Sequence, residues 1–102
     1  MNITTNQMEK LEKITPEEMF VSEETMNEIN EILNLENQTN FSLQIMRDSI
    51  VKYFSSITNK YYNKDFTKVI KPRDDEYMAI QTRVSMITAV IDHVKWNRGM
   101  AV

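Results

Sequence analysis

Alternating steps of three and four residues separate Tyr77, Ile80, Val84, Ile87, Ile91 and Val94. That spacing keeps one apolar stripe on a single side of an α-helix and turns it toward a neighbouring helix, as the a and d positions of a heptad do. A second stripe of the same kind runs through Leu43, Met46, Ile50, Tyr53 and Ile57, and Val51 and Phe54 widen it. Two such stripes in one chain can bury each other if the helices fold back as an antiparallel pair. The only glycine is Gly99. Tight β-hairpins and phosphate-cradling loops need more positive-φ positions than one glycine supplies, so the chain is expected to be all-α.

End signals set the expected boundaries. Asn34, Asn37, Gln38 and Asn40 form a polar connection, after which the first long helix is predicted over about 40–62. Pro72 disfavours helix at Lys71. Asp74, Asp75 and Glu76 place negative charge at a helix start, Lys95 and Arg98 place positive charge at its end, and Gly99 suits the residue just past it. The second long helix is therefore predicted over about 74–98, roughly 37 Å long.

Upstream, Thr15-Pro16-Glu17-Glu18 has the form of a capping box with proline at the first helical position, and Ser22-Glu23-Glu24 offers a competing start. Either leads into an apolar face of Met26, Ile29, Ile32 and Leu33 that ends near Leu35. Residues 5–14 can form a short helix with Met8, Leu11 and Ile14 on one side; residues 1–14 are expected to be loosely attached. The prediction is one helical domain over 1–102: a long antiparallel hairpin (about 40–62 and 74–98) with coiled-coil-like seams and a shorter N-terminal helix packed on it. The plain reading has that shorter helix cover the 77–94 stripe; the stripe is longer than the helix, however, which would leave part of it open. Tyr77, Ile80, Val84, Ile87, Ile91 and Val94 are thus expected to meet another copy in a homo-oligomer, or a different protein partner.

Catalytic chemistry finds little support. There is no cysteine, hence no disulfide framework and no thiolate. His93 is the only histidine, and its neighbour Asp92 points about 100° away on a helix, so it cannot orient the ring as a triad acid does. Glu24, Glu28 and Glu31 share one helical face, but the Glu-x-x-His pairs of carboxylate-bridged metal bundles are missing. No catalytic, cofactor-binding or metal-ligating residue is expected, and the three glutamates read as an acidic docking face or a solvated surface. No apolar run approaches the roughly 18–20 residues that span a bilayer. Residues 1–6 carry neither the charge nor the apolar stretch of a signal peptide. A cytoplasmic protein with no membrane association and no cofactor is expected.

Charge divides the chain. Residues 1–36 hold nine glutamates and two lysines, a net −7, whereas residues 37–102 carry a net +4. Such asymmetry suggests that the acidic third docks on the basic part or that the basic part meets an anion. Lys60, Lys64, Lys68, Lys71 and Arg73 lie in one stretch with Tyr61, Tyr62 and Phe66 interleaved. Cations that track phosphates beside rings that stack on bases make a single-stranded nucleic-acid surface. The plainer alternative is a solvated connection whose aromatics cap the core.

The stretch Tyr61-Tyr62-Asn63-Lys64-Asp65-Phe66, the acidic helix start after it, and Val90-Ile91-Asp92-His93-Val94-Lys95-Trp96-Asn97-Arg98-Gly99-Met100-Ala101-Val102 resemble the UvsY-type recombination mediators of T4-like phages. The resemblance covers the second half of the chain. It implies an oligomer that binds single-stranded DNA, with Lys60, Tyr61, Tyr62 and Lys64 in contact. The residues themselves point first to a small helical assembly, adaptor or inhibitor protein that works as an oligomer through helix surfaces. The Asn, Lys, Ile and Glu-rich composition suits an AT-rich bacterium or its phage, in which case it would act in the host cytoplasm. The alternative function is a nucleic-acid-binding accessory protein using residues 60–73.

Overall fold

The computed structural model describes residues 3–63 and 65–99. Four helices, α1 (Thr5–Glu12), α2 (Glu23–Leu33), α3 (Asn40–Thr58) and α4 (Asp75–Asn97), and a 3₁₀ turn (Leu35–Asn37) make up the fold, with no strand among the described residues. None of these helices is long and apolar enough to cross a membrane.

Each helix has its own start signal. Thr4 and Gln7 form a reciprocal capping box on α1, with the Gln7 N–H donating to Thr4 Oγ1 at 3.1 Å and the Thr4 N–H to Gln7 Oε1 at 2.9 Å. Ser22, Thr39 and Asp74 cap α2, α3 and α4 in turn by accepting from the third helical N–H. Asn34 ends α2 in the left-handed region at φ 51°, and Gly99 follows α4 at φ 78°.

The capping box expected at Thr15–Glu18 starts no helix. The Glu17 carboxylate is used further along instead. It accepts from the Ser22 N–H at 2.8 Å, the Ser22 hydroxyl at 3.0 Å, and the Thr25 hydroxyl. Those bonds fix Ser22 as the cap and leave residues 13–22 as an irregular strap. The strap crosses α4, where Arg83 Nε donates to the Ile14 carbonyl at 2.8 Å and the Glu17 N–H approaches Met86 Sδ at 3.0 Å.

α3 and α4 pack as the expected antiparallel hairpin, with Arg47 Nε on Asp92 Oδ1 at 2.9 Å and Lys95 Nζ on Gln44 Oε1 at 2.7 Å near one end, and the Phe54 ring 5.7 Å from Tyr77 toward the other. α3 stops at Thr58 rather than at 62, because the chain turns there and drives Tyr61 into the hairpin. Leu43, Met46 and Ile50 of α3 and Ile87 and Ile91 of α4 meet Ile29 and Leu33 of α2 in the main core.

Leu11 and Ile14 belong to this core and are almost fully enclosed, which corrects the expectation of a loosely attached 1–14 for its described residues, 3–14. The 77–94 stripe is also covered within the chain: Tyr77, Ile87 and Ile91 are buried, and Ile80, Val84 and Val94 are half-buried against the two core clusters. The expectation that this stripe is left open for another copy considered one short helix as its cover. α1, the strap and α2 share the task.

Arg98 locks the near end of the hairpin. Its guanidinium donates to the carbonyls of Gln38 at 2.8 Å, Glu36 at 3.1 Å and Leu35 at 3.4 Å, and to Asn40 Oδ1 at 3.0 Å. It thereby satisfies the Glu36 and Gln38 carbonyls at the α2–α3 junction and adds a second donor to the Leu35 carbonyl, which already accepts from the Gln38 N–H at 3.1 Å.

Candidate binding surface at the hairpin tip

The far end of the hairpin has a separate small core. Ile57, Tyr61 and Tyr77 are buried there, with Tyr53, Phe54, Tyr62 and Ile80 packed around them. Tyr61 sets its ring edge on Tyr77 at 4.6 Å between centroids, and its hydroxyl donates to Asp74 Oδ1 at 2.9 Å. Burial, reinforced by the Asp74 carboxylate, pushes the Tyr61 phenol up to about 12. Asp74 is held below the usual carboxylate range by the Tyr77 N–H at 2.8 Å and by the Tyr61 hydroxyl. One carboxylate thus caps α4 and anchors the connection. Lys71 closes over the Tyr61 ring, its Nζ 4.4 Å from the ring centroid and 4.0 Å from Asp74 Oδ2.

Beyond Tyr61 the chain makes a closed loop. Tyr62 and Val69 pair as an isolated antiparallel bridge, and the Ile70 N–H reaches the Tyr61 carbonyl at 2.7 Å. Asn63 holds the loop from inside: its Oδ1 accepts from the N–H groups of Thr67 at 2.8 Å and Lys68 at 3.0 Å, and its Nδ2 donates to Thr67 Oγ1 at 2.7 Å. This closure sets Phe66 at φ 57°. A bulky residue in that region is strained, and such strain gathers at functional positions. The loop presents Phe66, Val69 and Ile70 at 65, 62 and 60% exposure. Lys60, Lys68, Lys71 and Arg73 surround them, all exposed. Lys60 and Lys71 also border a groove of about 410 Å³ floored by Ile57, Tyr61 and Ile80.

The expected nucleic-acid residues therefore divide. Tyr61 is core, and its ring is not available to stack on a base. Tyr62 is half-buried and tilts against Phe66 at 6.0 Å. Lys64 lies outside the described residues, as do Met100, Ala101 and Val102 of the resemblance. Lys60, Lys68 and Arg73 face solvent. Val69 and Ile70 lie in no helical stripe, but two adjacent β-branched residues between lysines are an apolar signal in their own right.

Glu24, Glu28 and Glu31 are exposed on α2. Glu28 and Glu31 border a shallow groove opposite Lys10 of α1 and Lys13 just past its end. Within the chain, Glu28 and Glu31 therefore lie across from Lys10 and Lys13, not from the 60–73 stretch that charge asymmetry suggested. The ion pairs among the described residues are Arg47–Asp92 and Lys71–Asp74, neither involving these glutamates. His93 is exposed beside Asn97, Nε2 to Nδ2 3.3 Å, while Asp92 turns to Arg47. No three potential ligand side chains converge as a metal site among the described residues. No protein-family model, curated protein or solved structure matches the chain.

Proposed function

We propose that the chain is a small helical protein-interaction module, serving in assembly or as an adaptor or inhibitor, that grips a partner with the tip of its α3–α4 hairpin. One observation carries this reading: the Asn63-closed loop holds Phe66 at positive φ and in solvent beside Val69 and Ile70. Ordered apolar side chains presented together to water mark a binding surface. The lysines and Arg73 around them select a partner whose apolar pocket has an acidic rim, since rim charges steer and discriminate more than they bind. The module is read as acting in the cytoplasm of its cell, or of a host if a phage encodes it.

Single-stranded nucleic acid is the second reading, favoured by Lys60, Lys68 and Arg73 beside the Tyr62–Phe66 pair. It is weaker because Tyr61 is enclosed and because Val69 and Ile70 offer no stacking face. A role like that of the UvsY-type mediators rests on this second reading.

A displayed peptide library selected on the full chain tests the choice. Enriched peptides should combine a large apolar residue with Asp or Glu, and the double variant Phe66→Ser, Ile70→Ser should weaken their binding by roughly tenfold or more, as loss of a hot-spot contact does. The outcome against the proposal is oligothymidylate binding at low salt that survives this double variant and disappears in Lys60→Ala, Lys68→Ala. That result would favour the nucleic-acid reading.

A further inference from the structure

α4 carries a second heptad stripe on its outer side: Met78, Thr82, Ser85, Ala89, Asp92 and Trp96, separated by alternating steps of four and three. Its two ends are large and apolar, Met78 at 46% and Trp96 at 67% exposure, and its centre is small. The strap forms one edge, with Met19 at 92% and Phe20 at 76% exposure. Between strap and helix lies a groove of about 410 Å³ floored by Thr82, Ser85 and Ala89. On the opposite edge Arg47 holds Asp92, and Val51, one turn along α3, is exposed.

We propose that a second copy of the chain covers this face, α4 against α4, antiparallel about a two-fold axis at the level of Ile87. The register favours this occupant. With the axis there, Met78 meets Trp96 of the other copy and Ser85 meets Ala89, so every d position faces an a position. Large pairs close both ends, with the thioether against the indole a favourable contact, while small residues at the centre let the backbones approach.

Charge favours the same orientation. Asp75 and Glu76 make the first turn of α4 negative, and Arg98 at its end donates its hydrogen bonds to backbone carbonyls and one amide oxygen, none of them a carboxylate. An antiparallel pair sets each acidic end near the other copy's basic end and opposes the helix dipoles; a parallel pair would gather like charges. The two-fold also keeps both straps on one edge near the axis, where Met19 and Phe20 of each copy lie toward the groove of the other.

Size points to the whole face rather than the helix alone. The stripe from Met78 to Trp96, about 28 Å long and about 10 Å wide, falls short of the roughly 800 Å² per partner that stable pairs bury. Met19, Phe20 and Val51 extend it on both sides.

Sedimentation of the full chain at about 100 µM should give about twice 12.1 kDa. Ala89→Arg, at an exposed position, should keep the helical circular dichroism and weaken the pairing roughly 100-fold. Because the chain lacks cysteine, Met78→Cys mixed with Trp96→Cys should form a disulfide-linked pair under mild oxidation, while Met78→Cys alone should not. A monomeric wild type, an Ala89→Arg variant that still dimerises, or self-linked Met78→Cys would each overturn the proposal. Peptide binding at the hairpin tip is read separately from all three.

Discussion

Replacing Leu11 by alanine tests whether α1 is a structural wall or an appendage. Leu11 is 1% exposed, and the space around it, between Met8, Ile50, Tyr53, Val84 and Ile87, amounts to only about 10 Å³. That is barely the volume one water needs, so truncation opens a hole in a filled site. The walls belong to three different helices, and α3 and α4 are held by their own pairing, so only α1 can move in. Leu→Ala changes in such surroundings cost about 2–5 kcal/mol. With collapse limited to one side, the expected loss is about 3 kcal/mol. For a domain with a total stability of roughly 5–15 kcal/mol this is a large fraction. Urea denaturation followed by circular dichroism should show the midpoint falling by about 1–3 M, and Tm should drop by about 12–20 °C. A loss below about 1 kcal/mol would mean that α1 undocks easily. The account of the covered 77–94 stripe would then fail.

Arg98→Ala should cost about 1–2 kcal/mol through the carbonyls of Glu36 and Gln38 that lose their guanidinium donor, and amide exchange over residues 34–40 should rise before that of the α3 centre. Acid should open the starts of α2 and α4 together. Glu17, held low by the Thr25 hydroxyl and then the Ser22 N–H, and Asp74, held low by the Tyr77 N–H, both bind protons less readily when folded. Their contribution is complete above the unfolded values near 4.5 and 3.8 and is lost as pH falls through the lower folded ones, which exchange or NMR between about pH 5 and 2 would follow. In alkali the sign reverses for Tyr61. Its raised phenol favours the folded state fully below pH 10, and this is lost as pH rises toward about 12, so a tyrosinate absorbance titration should show a late step that Tyr61→Phe removes.

The hairpin was legible because its signals are local and agree with one another. Apolar periodicity marks both long helices, and the acidic start at Asp74–Glu76 and Gly99 agree with it on the bounds of α4. The start of α2 was not, because two local capping signals competed and the choice depends on Glu17 reaching Ser22 and Thr25, five and eight residues away. The fate of Tyr61 was half legible. The step of four from Ile57 continues the α3 stripe and points to the core, but the neighbouring lysines suggested a binding surface. Its burial rests on Asp74 and Tyr77, which the sequence does not show to be adjacent. The loop tip was hidden more deeply: nothing local announces that Asn63 will close on Thr67 and Lys68 and set Phe66 at positive φ.

The tip and the outer face of α4 bear on each other through geometry. In the proposed pair the axis lies twelve residues from Asp75, so the two α4 starts stand about 36 Å apart on opposite ends of the dimer. Each tip extends further outward, and the two point away from each other. A single compact partner cannot engage both, whereas two partners, or a repeating one, can. Two sites spaced in this way raise the apparent affinity for a partner that repeats at matching distance and leave affinity for a single peptide unchanged. Disrupting the pair with Ala89→Arg should therefore leave binding of one displayed peptide intact and weaken binding to a surface densely coated with that peptide. Equal loss on both would place the tip and the α4 face in one site. Equal retention on both, in a protein shown to dimerise, would mean that the pairing does not serve the tip.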